Sequence, residues 1–163
     1  MVEAYIALGS NIGDREANIK KALNLISEKV KLLKASALYE TKPMYMEQQN
    51  WFLNAAAKIE TTLPPRQLLS FLKDTEKKMG RVPVERNGPR IIDLDILFYG
   101  DLVVDEGDLQ VPHPKMAERA FVLVPLAEIA PDFAHPVYRK TVAQLLAELS
   151  YGESEIKRQG GSR

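Results

Sequence analysis

Hydrophobic positions along the chain fall into two repeats, one of about two residues and one of 3.6, which alternate. Residues 2–10, VEAYIALGS, form a largely apolar run that reads as a strand stopped at Gly9. Helical spacing follows at Ile19, Ala22, Leu23, Ile26 and Val30, with Asp14 placed to cap the first turn. LLKASALYET and WFLNAAAKIETT read as two strands, joined by a polar connector over residues 41–50 that is longer than a hairpin needs. In LPPRQLLSFLKDTEKKMG, Pro64 and Pro65 suit the first turn of a second helix. Leu68, Leu69, Leu72 and Met79 form its apolar stripe, and Gly80 stops it. The connector RVPVERNGPR, residues 81–90, then leads into a buried-looking strand, IIDLDILFY.

Strand, helix, strand, strand, helix, strand is the split βαβ order, which predicts an α+β fold: a ferredoxin-like βαββαβ sandwich with two helices on one face of an antiparallel sheet. The remainder predicts C-terminal additions: a short strand pair around DLVVDEGDLQVP and a helical KMAERAFVLVPLAEI. A last helix follows, where Thr141 and Gln144 make a capping box ahead of Leu145, Leu146 and Leu149. From about Gly152 the polar tail, residues 152–163, is expected to fray. The 163 residues contain no repeat and no linker, so 1–163 reads as a single domain, one large enough to bury roughly 70% of its unfolded surface.

Composition narrows the function. Lys and Arg number 22 against 22 Asp and Glu, which argues against a general affinity for nucleic acid or an anionic membrane and confines any polyanion site to a local cluster. Without cysteine there is no disulfide, thiolate nucleophile or Cys-ligated zinc. No stretch approaches the ~20 apolar residues of a membrane span, and the amino terminus lacks a basic start followed by a long apolar run. A soluble cytoplasmic protein with no obligate protein partner is the expectation.

Asp93 and Asp95 are set into the most apolar strand, two apart and therefore on one face, while Ile92, Leu94, Ile96 and Phe98 are expected on the other. One explanation is a solvated sheet face, where carboxylates serve solubility. Ile91 and Leu97 share the aspartates' face, however, so the charges interrupt an apolar surface. The functional alternative is a Mg²⁺ site, because hard oxygen ligands with open positions suit an ion that keeps waters and binds phosphates. Two ions about 4 Å apart fit between such a pair and a polyphosphate. Arg81, Arg86 and Arg90, on the connector just upstream, supply guanidinium forks for phosphate oxygens. Neither a P-loop nor a kinase glycine-rich loop is present, and LGSNIG reads as a structural strand-to-helix turn.

GPRIIDLDILFYG, preceded by Glu76 and GRVPVERN and followed by VPHPKMAERAF, resembles the 6-hydroxymethyl-7,8-dihydropterin pyrophosphokinase family of folate biosynthesis. The likeness runs from YIALGSN through FLNAA to PLAEIAP. It implies a ferredoxin-like fold and transfer of diphosphate from ATP, the co-substrate, to the hydroxymethyl group of a reduced pterin, with two Mg²⁺ ions and AMP as product. By the same resemblance, Asp93 and Asp95 are metal ligands. Asn54 reads the pterin edge between the rings of Phe52 and Phe121, and Thr41, Pro43 and Met44 belong to a loop that contacts the pterin. Glu76, Arg81, Arg90, His113 and Arg119 match nucleotide- or phosphate-facing positions, and Arg86 matches a further loop arginine. Two departures stand out, Pro83 in place of a second arginine and Asn87 in place of an aromatic residue. The connectors 41–50 and 81–90 are expected to exclude water from the site. A nucleotidyltransferase would also use an acidic pair with two metals but would release pyrophosphate. An RNA-binding module would show exposed aromatics on a basic sheet face, a pattern this sequence lacks.

Overall fold

The structure, a computed structural model, describes residues 1–43, 50–80, 91–152 and 155–159. Its centre is strand β1 (Val2–Ser10), whose buried Ala4, Ile6 and Leu8 alternate with side chains on the opposite face. The helix α1 (Arg15–Ile26) follows, capped by the Asp14 carboxylate, which accepts from Ala17 N at 3.1 Å, and it buries Ile19, Ala22 and Ile26. β2 (Lys31–Ala35), β3 (Tyr39–Thr41) and β4 (Phe52–Thr61) come next, then α2 (Pro65–Lys78) and β5 (Asp93–Tyr99). Beyond them lie a hairpin, β6 (Val104–Glu106) and β7 (Leu109–Val111), a 3₁₀ turn (Met116–Glu118), α3 (Ala120–Ile129), α4 (Val142–Glu148) and β8 (Ile156–Arg158). Thr141 and Gln144 make the reciprocal capping box at α4, with bonds of 3.1 and 2.8 Å.

The main sheet is antiparallel with the order β5-β1-β4-β3-β8, and β2 also pairs with β4. One face packs Ile6, Leu8, Leu53, Ile59, Leu94 and Ile96 against Ile19 and Ile26 of α1 and Leu68 and Leu72 of α2. Each such side chain is worth about 1.5–3 kcal/mol on full burial, so this layer carries much of the fold. The other face packs Tyr5, Ala56, Leu97 and Phe98 against Val122, Leu123 and Leu126 of α3 and Val142 and Leu145 of α4. Among the described residues, no helix is long and apolar enough to cross a membrane.

Four details differ from the pattern in the sequence. First, the apolar run 32–41 divides into β2 and β3 at Ser36. There the hydroxyl accepts from Ala56 N (2.9 Å) and donates to Ala37 O (2.7 Å), so a side chain replaces part of the ladder. Second, Phe98 lies on the α3 face. A bulge opposite Tyr5 and Ile6 leaves Leu97 unpaired, turns Phe98 over and sets its ring edge-on to Tyr5 at 6.1 Å. Third, the segment 115–129 breaks at Arg119, whose backbone is extended (φ −119°, ψ 100°) between the 3₁₀ turn and α3. Fourth, the tail does not fray throughout. Residues 156–158 form β8, which meets the outward backbone groups of β3, and Gln159 N donates to Leu38 O at 2.8 Å.

Candidate active site

Strand register assembles the site. Gly9 on β1 lies opposite Asn54 on β4 and Asp93 on β5, and Ala7 lies opposite Ala56 and Asp95. All six point to the α3 face, because the alternate residues Ile6, Leu8, Leu53 and Leu94 face α1 and α2. α3 covers that face from Tyr5 and Leu97 onward, and the end carrying Gly9, Asn54 and Asp93 opens into a cleft. Gly9 and Ala7 form its floor because they are small. A Cβ on Gly9 would stand 2.7 Å from Asn54 Oδ1 and 3.7 Å from the Phe52 ring.

One wall combines a buried amide with aromatic surface. Asn54 is only 7% exposed, and its Nδ2 donates to the Thr41 hydroxyl, a bond that orients the amide. Phe52, paired with Thr41 across the strands, together with Pro43 and Phe121 supplies apolar and aromatic surface around it. The start of β4 is anchored from the other side of the chain. Arg15 donates to Trp51 O at 3.0 Å and to the Glu40 carboxylate at 3.3 Å, and Asn11 Nδ2 donates to Asn50 O at 3.2 Å. Neither Arg15 nor Gly9 stands out as a site residue in the sequence. The signal for Gly9 is a glycine inside a strand, which marks close approach.

The opposite wall is charged. His113 N donates to Leu97 O at 3.0 Å, which ties the residue to β5, and its Nδ1 accepts from Lys115 N at 3.2 Å, which leaves Nε2 to carry the ring proton. Burial, reinforced by the Arg119 charge, holds the imidazole down at about 4, so it is a neutral donor near pH 7. Arg119 sits at the break before α3, with its guanidinium 5.5 Å from the Phe121 ring centroid. Asp93 and Asp95 are half-buried and line this cleft. Burial, then the Asp93 charge, pushes the Asp95 carboxyl above the usual carboxylate range.

A divalent cation fits the donor set. Two hard-oxygen carboxylates share one desolvated recess and repel each other, an imbalance a cation removes. Among the described residues, no group of three or more His, Cys, Asp or Glu side chains converges to hold a metal. The pair therefore leaves coordination positions for water and phosphate oxygens, as Mg²⁺ prefers.

Of the residues singled out in the sequence, Thr41, Pro43, Phe52, Asn54, Asp93, Asp95, His113, Arg119 and Phe121 line this one cleft. Among the described residues that line this cleft, Glu76 is absent. Its buried carboxylate lies behind β5 and accepts from Leu94 N at 2.7 Å. Met44, Arg81, Arg86 and Arg90, with Pro83 and Asn87, fall outside the described residues.

Fold and cleft together define a mixed α+β protein whose cleft sets two carboxylates and a guanidinium beside an aromatic recess. Residues 5–131 match the family described as 7,8-dihydro-6-hydroxymethylpterin-pyrophosphokinase (HPPK), and the chain belongs to that family. It is 43% identical over 148 residues to the 2-amino-4-hydroxy-6-hydroxymethyldihydropteridine pyrophosphokinase of Aquifex aeolicus, covering 91% of this chain and 92% of that one. It is also 43% identical over 148 residues to the folic acid synthesis protein FOL1 of Dictyostelium discoideum, covering 91% of this chain but 22% of that protein. The chain spans about a fifth of the length of FOL1 and its two fungal counterparts. Among solved structures, a triple-mutant HPPK-DHPS of Plasmodium falciparum superposes with a TM-score of 0.74 at 19% identity, over 90% of this chain and 44% of that one, a likeness of fold.

Proposed function

We propose that this chain transfers diphosphate from ATP to the hydroxymethyl oxygen of 6-hydroxymethyl-7,8-dihydropterin, yielding AMP and the pterin diphosphate in folate synthesis. Family membership supports the reaction. The observation that supports it best is the row Asn54–Gly9–Asp93 across three strands, in which a side-chain amide and the acidic pair stand on either side of a floor free of side chains. In this reading the βαββαβ unit is a ferredoxin-like sandwich, residues 1–163 act as one domain, and the substrates are two small molecules without a required protein partner.

Asn54 offers a donor and an acceptor to the pterin ring, and Phe52 and Phe121 flank that ring. The Thr41 hydroxyl, by accepting from Asn54 Nδ2, restrains that amide. Asp93 and Asp95 would hold Mg²⁺, two ions in the full complex, and bound Mg²⁺ supplies charge neutralisation for the phosphates. His113, through Nε2–H, and Arg119 bind phosphate oxygens and orient the chain of phosphates. Arg81, Arg86 and Arg90 add guanidinium groups from the 81–90 connector, and Pro43 and Met44 complete the pterin side. The hydroxymethyl oxygen bonds to the β-phosphorus, the bond from that phosphorus to the α,β-bridging oxygen breaks, AMP departs and the hydroxyl proton is released. Little covalent chemistry is asked of the protein, whose part is alignment and electrostatics.

The test incubates the chain with ATP, Mg²⁺ and the reduced hydroxymethylpterin. AMP formed only when both pterin and Mg²⁺ are present is expected. Pyrophosphate with a nucleotidylated pterin, or AMP released without pterin, would overturn the assignment.

A further inference from the structure

β5 is the edge of the main sheet, with β1 on one side only. An edge strand carries outward N–H and C=O groups that need partners. At Leu94 two side chains of α2 serve as those partners. Leu94 N donates to Glu76 Oε2 at 2.7 Å, and Leu94 O accepts from Lys73 Nζ at 3.4 Å. The Lys73 ammonium also stands 3.5 Å from Glu76 Oε2. Leu94 lies between Asp93 and Asp95. Its N–H belongs to the peptide plane that begins at the Asp93 Cα, and its C=O to the plane that ends at the Asp95 Cα. The two α2 contacts therefore restrain both peptide planes from which the paired carboxylates project.

We infer that Glu76, assisted by Lys73, is a positioning residue that sets the spacing and direction of the Asp93 and Asp95 carboxylates for a divalent cation. The inference rests on the reading of Asp93 and Asp95 as metal ligands. A carboxylate that is 3% exposed is a costly group to bury for fold stability alone, since an isoleucine or leucine would pack the same helix face. Unlike an apolar residue, Glu76 offers an acceptor to Leu94 N, in the peptide that joins Asp93 to Leu94. Groups behind the ligands commonly govern metal affinity by about 10–100-fold. Lys73, three residues earlier and on the same side of α2, brings a positive charge to the Glu76 carboxylate and a donor to the second peptide plane.

The experiment uses the full chain with Mn²⁺ as probe and a non-hydrolysable ATP analogue, and reads the Mn²⁺ dissociation constant together with hydrogen exchange at the Leu94 amide. Glu76→Ala is expected to speed Leu94 exchange relative to the other β5 amides and to weaken Mn²⁺ binding by about 10–100-fold. Glu76→Gln keeps an acceptor oxygen and is expected to restore both readouts. Glu76→Ala that exposes the Leu94 amide yet leaves Mn²⁺ affinity unchanged overturns the inference. So does Glu76→Gln behaving like Glu76→Ala, and so does a raised KM for ATP at saturating metal with Leu94 exchange unaltered, which would make Glu76 a nucleotide contact. Should Glu76→Ala fail to fold by circular dichroism, Lys73→Met removes only the second anchor. A several-fold loss of Mn²⁺ affinity is then expected, and no loss overturns the inference. An unmodified chain that binds no Mn²⁺ overturns the metal reading itself and this inference with it, whereas Leu94 protection still reports the contact from α2.

Discussion

Replacing Gly9 with alanine tests the geometry of the cleft more sharply than removing any charged group. The new Cβ would stand 2.7 Å from Asn54 Oδ1, closer than a carbon and an amide oxygen tolerate, with the Phe52 ring 3.7 Å away. The backbone of β1 is held on both sides by β4 and β5, so the strand yields less readily than the Asn54 side chain. Rotating that side chain breaks its bond to the Thr41 hydroxyl and turns the amide away from a pterin edge. A buried polar group that loses its partner costs about 1–3 kcal/mol, so the pterin dissociation constant is expected to rise about 5- to 150-fold. Alanine also restricts the unfolded chain by about 0.4–1 kcal/mol relative to glycine, which offsets part of that loss, so the urea midpoint is expected to fall by less than the lost bond alone would give. Calorimetric titration with the pterin and, separately, with an ATP analogue reads the two sites independently. Unchanged pterin affinity in a folded Gly9→Ala protein would refute the account of Gly9 as the clear floor beside Asn54.

Asp95→Asn removes the mutual repulsion in the acidic recess, so the ligand-free protein is expected to melt higher while diphosphate transfer is lost; calorimetric melting and an AMP assay check the two halves. Tyr39→Phe deletes a hydroxyl that donates to Glu128 at 2.6 Å, a bond to a charged group worth about 1.5–3 kcal/mol, and a matching fall in unfolding free energy by urea titration is expected. In unmodified protein, burial and the bond to Glu128 push the Tyr39 phenol up to about 12, so alkaline absorbance titration should show a late-ionising tyrosine that Tyr39→Phe removes, beside Tyr5, which burial also raises. Burial lowers His135, whose Nδ1 accepts from Val137 N and Tyr138 N, both at 3.1 Å. A depressed histidine favours the fold while neutral, so this stability is complete above about pH 6.5 and declines as pH falls below it. Between about pH 7.5 and 5 the urea midpoint of the unmodified chain should fall relative to that of His135→Gln, a comparison that cancels the opposite contribution of the raised Asp95 carboxyl.

Much of the fold was legible in the sequence because local rules and burial agree along it. Asp14 caps α1, the paired prolines open α2, and the Thr141–Gln144 box opens α4, each as the spacing predicts. Misreadings arose where side chains or distant strands overrode the local pattern. Ser36 uses its hydroxyl in place of a ladder bond and splits an apolar run. The bulge that turns Phe98 over is a mismatch between β1 and β5, which neither strand shows alone. β8 looks too polar to be ordered, yet it pairs because β3 presents an unsatisfied edge.

Residue type and spacing alone determine that Asp93 and Asp95 share a face, that histidine and arginine follow downstream, and that an asparagine sits in an apolar strand, because covalent geometry and alternation act within one segment. Only the tertiary structure decides that Asn54, Gly9 and Asp93 form one row, since register between strands is a property of pairs. It likewise decides which end of the sheet α3 leaves open, and it sets Glu76 behind the acidic pair rather than inside the cleft. The helix face carrying Glu76 packs against the edge strand, and that packing depends on residues far apart along the chain.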